Sequence, residues 1–225
     1  MKLVRSGRIA TQDVRGDNFV YATALSVVPS DTSRFLVGST DGRLLHQSRF
    51  PSNVLSPRAF SPFDDMEDAD ETRAVAGSSG EAVLRADFSP FHPALALVTM
   101  SGGRILLYDT DESPAPISEW MQPPTLREAV WSRTRPTVFF SVSEDTVCAW
   151  DISVDLVRPV GTMRPARGTG MMVDFALCAA KQNVSGAPTH FITAYDSGDV
   201  ILHEISAPLS EPRAGEDSIE EALLR

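Results

Sequence analysis

The chain has 225 residues, 42% of them apolar, with a formal net charge of −10 and 2 cysteines. That length and apolar share support a buried core and exclude wholesale disorder; two cysteines cannot build a disulfide framework, and no stretch approaches the roughly 18 apolar residues of a membrane span. The acidity is concentrated in residues 64–71, with six acids and no base, and in residues 211–225, with five acids against two arginines, so the body is near neutral and offers no basic stripe to nucleic acid.

In chain order, MKLVRSGRIA carries charges but no apolar leader segment, which predicts a cytosolic chain. Residues 7–14 (GRIATQDV) read as an outer strand ahead of the first unit. ALSVVPSDTSRFLVGSTDGRLLHQS (24–48) then alternates strands and turns, and an acidic insertion follows over 57–80. LRADFSPFHPALALVTMSGGRILLYD (84–109) and REAVWSRTRPTVFFSVSEDTVCAWD (127–151) align closely: Phe88-Ser89 matches Trp131-Ser132 at 43 residues, and Tyr108-Asp109 matches Trp150-Asp151 at 42. A weaker copy covers 173–205 with a longer loop around 180–189. His46-Gln47 and His203-Glu204 are taken as the counterparts of Trp150-Asp151. The last residues, SIEEALLR, predict a short helix with Ser218 and Glu221 spaced as a capping box.

Runs such as FLVGS, LALVT, VFFSV and FITAY read as strands buried on both faces. Asp41-Gly42, Gly102-Gly103, Glu144-Asp145 and Ser197-Gly198 supply the turns of two-residue hairpins. Prolines 29, 90, 93, 136 and 188 fall between strands, where no ladder donor is lost. A period of about 40–45 residues with a terminal Trp-Asp is that of a four-stranded propeller blade. The predicted fold is therefore all-β. About four blades of a WD-repeat propeller occupy residues 1–208 (roughly 20–56, 82–122, 127–163 and 171–206), and an acidic tail with a short helix occupies 209–225. Four blades leave two raw faces. This predicts either an N-terminally truncated chain or a ring completed by another chain.

Asp41, Tyr108, Asp109, Trp131, Trp150, Asp151 and Asp196 are expected to hold blades together from turns and strand ends. Cys148 and Cys178 read as small buried hydrophobes. The four histidines, His46, His92, His190 and His203, have no second ligand at metal spacing, and the acids of 64–71 lack the calcium-loop pattern and its glycine. No phosphate-binding glycine motif and no nucleophile-base pairing is present, so neither a cofactor nor an enzymatic activity is expected. Phe91, Arg133 and Arg135 lie in loops between the first and second strands of their blades. They are the candidate partner-binding residues, because exposed aromatic and Arg side chains are enriched at interfaces.

VWSRTRPTVFF and VCAWDI within 130–152, preceded by SEWM (118–121), resemble the dynein intermediate chains. DFSPFHPALALVT resembles the preceding blade of that family with Phe88 in place of Trp, and FLVGSTDGRL resembles its L-x-V-G-x-x-D-G phrase. The nearest likeness is to the intermediate chain of cytoplasmic dynein type 2, over roughly residues 22–205. Arg133 stands where the family commonly has Pro, and three of the four blades lack the Trp of Trp-Asp. The resemblance implies that the four blades are the C-terminal part of a seven-bladed propeller, a non-catalytic scaffold in the cytoplasm, cytoskeleton and cilium. Its implied partners are dynein heavy chain and other dynein intermediate and light chains, with no nucleic acid and no membrane insertion. Family members take light chains through a disordered region upstream of the propeller. These residues contain no such region, and that activity is not assigned to them.

Overall fold

A computed structural model describes residues 21–49, 58–60, 81–178, 189–211, 213 and 219. Alternating turn formers and β-branched runs fold as four antiparallel meanders. The first is β1 (Ala22–Val28), β2 (Asp31–Ser39), β3 (Leu44–Ser48) and β4 (Arg58–Phe60), and the second β5 (Val83–Phe88), β6 (Leu95–Met100), β7 (Arg104–Asp109) and β8 (Ser118–Met121). The third is β9 (Leu126–Trp131), β10 (Val138–Ser143), β11 (Val147–Asp151) and β12 (Gly161–Met163). The fourth has β13 (Met172–Leu177), β14 (His190–Tyr195) and β15 (Val200–Glu204), and a single-turn helix α1 (Ala207–Ser210) follows it. First strands lie beside first strands, β1 against β5 and β5 against β9. These four sheets are the blades of the expected all-β propeller.

Every residue of β6 and β10 is buried, which is why these runs lack polar alternation: a blade's middle strands are covered on both faces. The core is a series of layers between blades. Val28, Leu36, Leu44 and Phe60 of blade one meet Phe88, Val98, Leu106 and Tyr108 of blade two. Leu97, Ile105, Leu107 and Trp120 of blade two meet Trp131, Phe139 and Trp150 of blade three. Val138, Phe140 and Val147 of blade three meet Met172, Phe175, Phe191 and Tyr195 of blade four. The middle layer holds all three tryptophans of the chain. Phe139 stacks on Trp150 with centroids 5.5 Å apart and 3° between planes, and Trp120 and Trp131 close on Phe139 at 5.0 and 6.0 Å. Each such pair adds about 0.5–1.5 kcal/mol beyond its buried area.

The hairpins differ from the expected two-residue type in three of four blades. Ser39 N–H donates to Arg43 O (3.1 Å) and Gly42 N–H to Ser39 O (3.3 Å), a three-residue loop in which Gly42 supplies the left-handed residue at φ 85°. Gly103 and Gly198 hold the same place at φ 90°. Only blade three, whose Ser143 N–H donates to Thr146 O at 2.9 Å, makes the shorter turn. This accounts for the change of period from 43 to 42 residues.

Register corrects one sequence assignment. Trp150 pairs with Phe139, Tyr108 with Ala96 and His203 with Phe191. In blade one the corresponding pair is Phe35 with Gln47, and His46 pairs with Leu36. His46 therefore sits one residue off the Trp position and on the opposite face of the sheet, because side chains alternate along a strand. It and His203 are not equivalent. Of the predicted tail helix, Ile219 alone is described; it is helical and fully buried in the layer between blades two and three. Ser218, Glu221, residues 7–14, Pro188 and the acids of 64–71 lie outside the described residues.

Candidate docking edge

The three predicted docking residues sit on the loops from β5 to β6 and from β9 to β10, and a serine shapes each loop. Ser89 Oγ accepts from the N–H of Phe91 and of His92, both at 3.2 Å. Ser132 Oγ accepts from the N–H of Thr134 and of Arg135, also at 3.2 Å. The two loops carry the same hydrogen bonds 43 residues apart, so adjacent blades repeat the same turn at this edge. Phe91 stands out from it, 40% exposed. Arg133 is partly exposed beside it, its Nη2 3.2 Å from Asp87 Oδ1.

Arg135 departs from the expectation of an exposed loop residue: it is 0% exposed. Its Nη1 lies 2.9 Å from Asp151 Oδ2 and also donates to the carbonyl of Pro208. Asp151 is buried as well. Its Oδ1 accepts from Thr137 Oγ1 at 3.2 Å, Ser153 N–H at 3.1 Å and Ser153 Oγ at 2.5 Å. Arg213 Nη1 approaches Asp151 Oδ2 at 3.6 Å. A buried carboxylate needs such compensation, since desolvation disfavours its charge. The Asp of Trp-Asp is thus the hub that ties blade three to the segment after blade four. Arg135 lies beneath the edge, supporting it.

The remaining signature residues have intramolecular partners. Asp41 accepts from Ser39 Oγ across the first hairpin, and Asp109 Oδ1 accepts from the N–H of Asp111 (2.9 Å) and Glu112 (3.2 Å). Asp196 Oδ1 accepts from Met171 N–H at 2.9 Å. Tyr108 packs edge-on to Phe60 across the first seam, 5.5 Å between centroids. Trp150 Nε1 donates to Ser141 Oγ at 2.9 Å. In blade four His203 replaces the Trp, stacks on Phe191 at 4.6 Å and places Nε2 2.9 Å from Thr193 Oγ1. Burial holds its pKa below the ordinary histidine value.

Several seam residues carried no distinctive letter pattern. Asp87 Oδ2 accepts from Trp131 N–H at 2.9 Å, and Thr99 Oγ1 accepts from Ala129 N–H at 2.8 Å. Trp120 Nε1 donates to Leu156 O at 2.6 Å. On the inner strands, Arg85, Arg127, Glu128, Asp174 and Phe175 line an open cleft of about 330 Å³. Burial raises the Glu128 pKa; Arg85, 3.4 Å away, opposes the shift, while Asp174 and Asp87 add to it. Among the described residues no group of three His, Cys, Asp or Glu is arranged to hold a metal ion, and Cys148 and Cys178 are free thiols.

What the chain is related to follows from comparison with known proteins. No family model matches it. It is 29% identical to cytoplasmic dynein 2 intermediate chain 1 of Mus musculus over 208 residues, which is 90% of this chain and 19% of that protein. It is 27% identical to the Homo sapiens protein of the same name over 228 residues, 96% of this chain and 20% of that protein. The chain is similar to the cytoplasmic dynein 2 intermediate chains. The likeness runs through all four blades, and the chain spans about a fifth of the length of these relatives. It bears out the resemblance first seen in the phrasing of blades two and three.

Proposed function

We propose that this chain is non-catalytic propeller scaffold of a cytoplasmic dynein 2 intermediate chain, holding dynein heavy chain for retrograde intraflagellar transport and cilium assembly. The observation that carries the reading is similarity to dynein 2 intermediate chains over 90% or more of the chain, joined to a fold built from stacked sheets. Stacked blades give rigid faces and edges for partners. The docking edge is the pair of serine-shaped loops, with Phe91 as the apolar anchor and Arg133 as the charged contact. Arg135 acts beneath them by holding the loop on Asp151. The other dynein intermediate and light chains associate through the assembled complex, and the chain accordingly resides on the cytoskeleton and in cilia.

Affinity capture of the tagged chain from ciliated cells tests this. Dynein heavy chain is expected among the captured proteins, and Phe91→Ala with Arg133→Ala is expected to reduce its recovery at least about tenfold while circular dichroism stays unchanged. Capture of other partners without heavy chain, from cells with or without cilia, would favour a general propeller adaptor and overturn the reading. Heavy chain of an axonemal dynein in place of dynein 2 would reassign the subtype.

A further inference from the structure

Four serines of the chain are followed by proline, at 56, 61, 89 and 113, and the pairs at 89 and 113 lie among the described residues. The fold treats these two differently. Ser89 is 0% exposed and shapes the loop from β5 to β6. Ser113 lies in the loop from β7 to β8, half-buried, with Asp111, Glu112 and Pro114 exposed around it. Its Oγ accepts from Ala115 N–H at 3.1 Å, and its O–H donates to no described residue. Residues 109–117 hold three acids and no base. Asp109 Oδ1 fixes the turn by accepting from Asp111 and Glu112 N–H, and Arg34 crosses from blade one to place Nη2 2.8 Å from Asp111 Oδ1. Thr110 N–H donates to Ala94 O at 2.9 Å, which ties this loop to the end of blade two that carries Phe91.

We infer that Ser113 is a phosphorylation site for a proline-directed protein kinase. Proline has no N–H, so Pro114 enters the kinase without burying an unpaired donor, a cost that another residue after the acceptor would incur. Ser113 Oγ attacks the γ-phosphorus of ATP and its proton passes to the kinase's base. The bond from that phosphorus to the β–γ bridging oxygen breaks, and ADP leaves. The new group carries a charge of about −1.5 to −2. Three neighbouring acids repel it, and Arg34 is the cation that the first seam already delivers to this loop. The dianion is the stronger acceptor, so Arg34 moves from Asp111 to the phosphate, and the staple between blades one and two is transferred rather than lost. The inference goes beyond the proposed role and does not depend on it.

Incubation of the full 225-residue chain with ATP, Mg²⁺ and a cyclin-dependent or a mitogen-activated kinase, in separate reactions, tests the site. Peptide mapping by mass spectrometry is expected to find phosphate on Ser113 and none on Ser89. Ser113→Ala should abolish that phosphopeptide. Pro114→Ala keeps the hydroxyl and should slow its modification at least about tenfold. Both residues lie on a surface loop, so each variant should keep the circular dichroism of the parent chain. Three results overturn the inference: no phosphate on Ser113 with either kinase, phosphate confined to Ser56 or Ser61, or a rate at Ser113 that Pro114→Ala leaves unchanged. Equal modification of Ser89 in the folded chain also overturns it, because access would then not be set by the fold. Phosphorus NMR of the phosphorylated chain reads the role of Arg34. Arg34→Ala is expected to raise the second pKa of the phosphate, since a neighbouring cation favours the dianion; an unchanged pKa overturns the transfer of the staple.

Discussion

At Asp151 a carboxylate and a guanidinium are both withdrawn from water, with side chains 1% and 0% exposed. Their mutual attraction offsets two desolvation penalties, so the pair contributes little net stability while the loss of either partner is costly. Asp151→Asn leaves Arg135 buried with its charge uncompensated and should cost about 3–5 kcal/mol, read as a lower urea midpoint at unchanged slope. The double replacement Asp151→Leu with Arg135→Met removes both charges and should cost less than half as much. A double variant no more stable than Asp151→Asn would show that shape and hydrogen bonding at this point, not charge burial, govern stability. Arg135 also shows where letters mislead. An arginine in a loop reads as exposed, whereas here it is buried against Asp151, Thr137 and Pro208, the last 73 residues away.

The hairpins carry a second consequence, at the level of the element. Gly103 and Gly198 share φ 90°, yet a Cβ on Gly103 would lie 2.3 Å from Gln122 O, whereas one on Gly198 meets nothing within 4 Å. Gly198→Ala should therefore cost only the left-handed backbone penalty, about 1 kcal/mol. Gly103→Ala adds a clash with the Gln122 and Pro123 backbone just past the end of β8 and should cost about 2–3 kcal/mol. Thermal unfolding of the two variants checks the order; equal losses would mean that the Gln122 backbone yields freely. The turns were legible in the sequence because Asp-Gly and Gly-Gly are strong punctuation. Their class was not, since the added left-handed residue alters no letter pattern. His46 slipped by one position for another reason: it lies four residues after Gly42, whereas His203 lies five after Gly198, and matching histidine to histidine exchanges the faces of the strand.

For the molecule as a whole, blade number and order could be read from the chain because each blade repeats the same local alternation of buried runs and turns. The similarity to dynein intermediate chains was likewise readable in blades two and three, where Trp131, Ser132, Trp150 and Asp151 stand together. What the letters could not show were contacts between distant segments. Nothing in the spacing connects Pro208, Arg213 or Ile219 with blade three. The candidate site reflects this division: the loop positions of Phe91 and Arg133 were legible in the sequence, while the contacts that bury Arg135 beneath them come from the tail.

The return of the tail has a mechanical meaning. Pro208, Arg213 and Ile219 follow blade four yet contact Arg135, Asp151 and the layer between blades two and three. Tension applied to the chain beyond Ile219 therefore does not peel β15 from blade four first. It is delivered to the aromatic seam of Trp120, Trp131, Phe139 and Trp150 through a buried apolar plug and an ion pair. Blade four, packed on blade three through Phe175, Phe191 and Tyr195, lies outside that line of force.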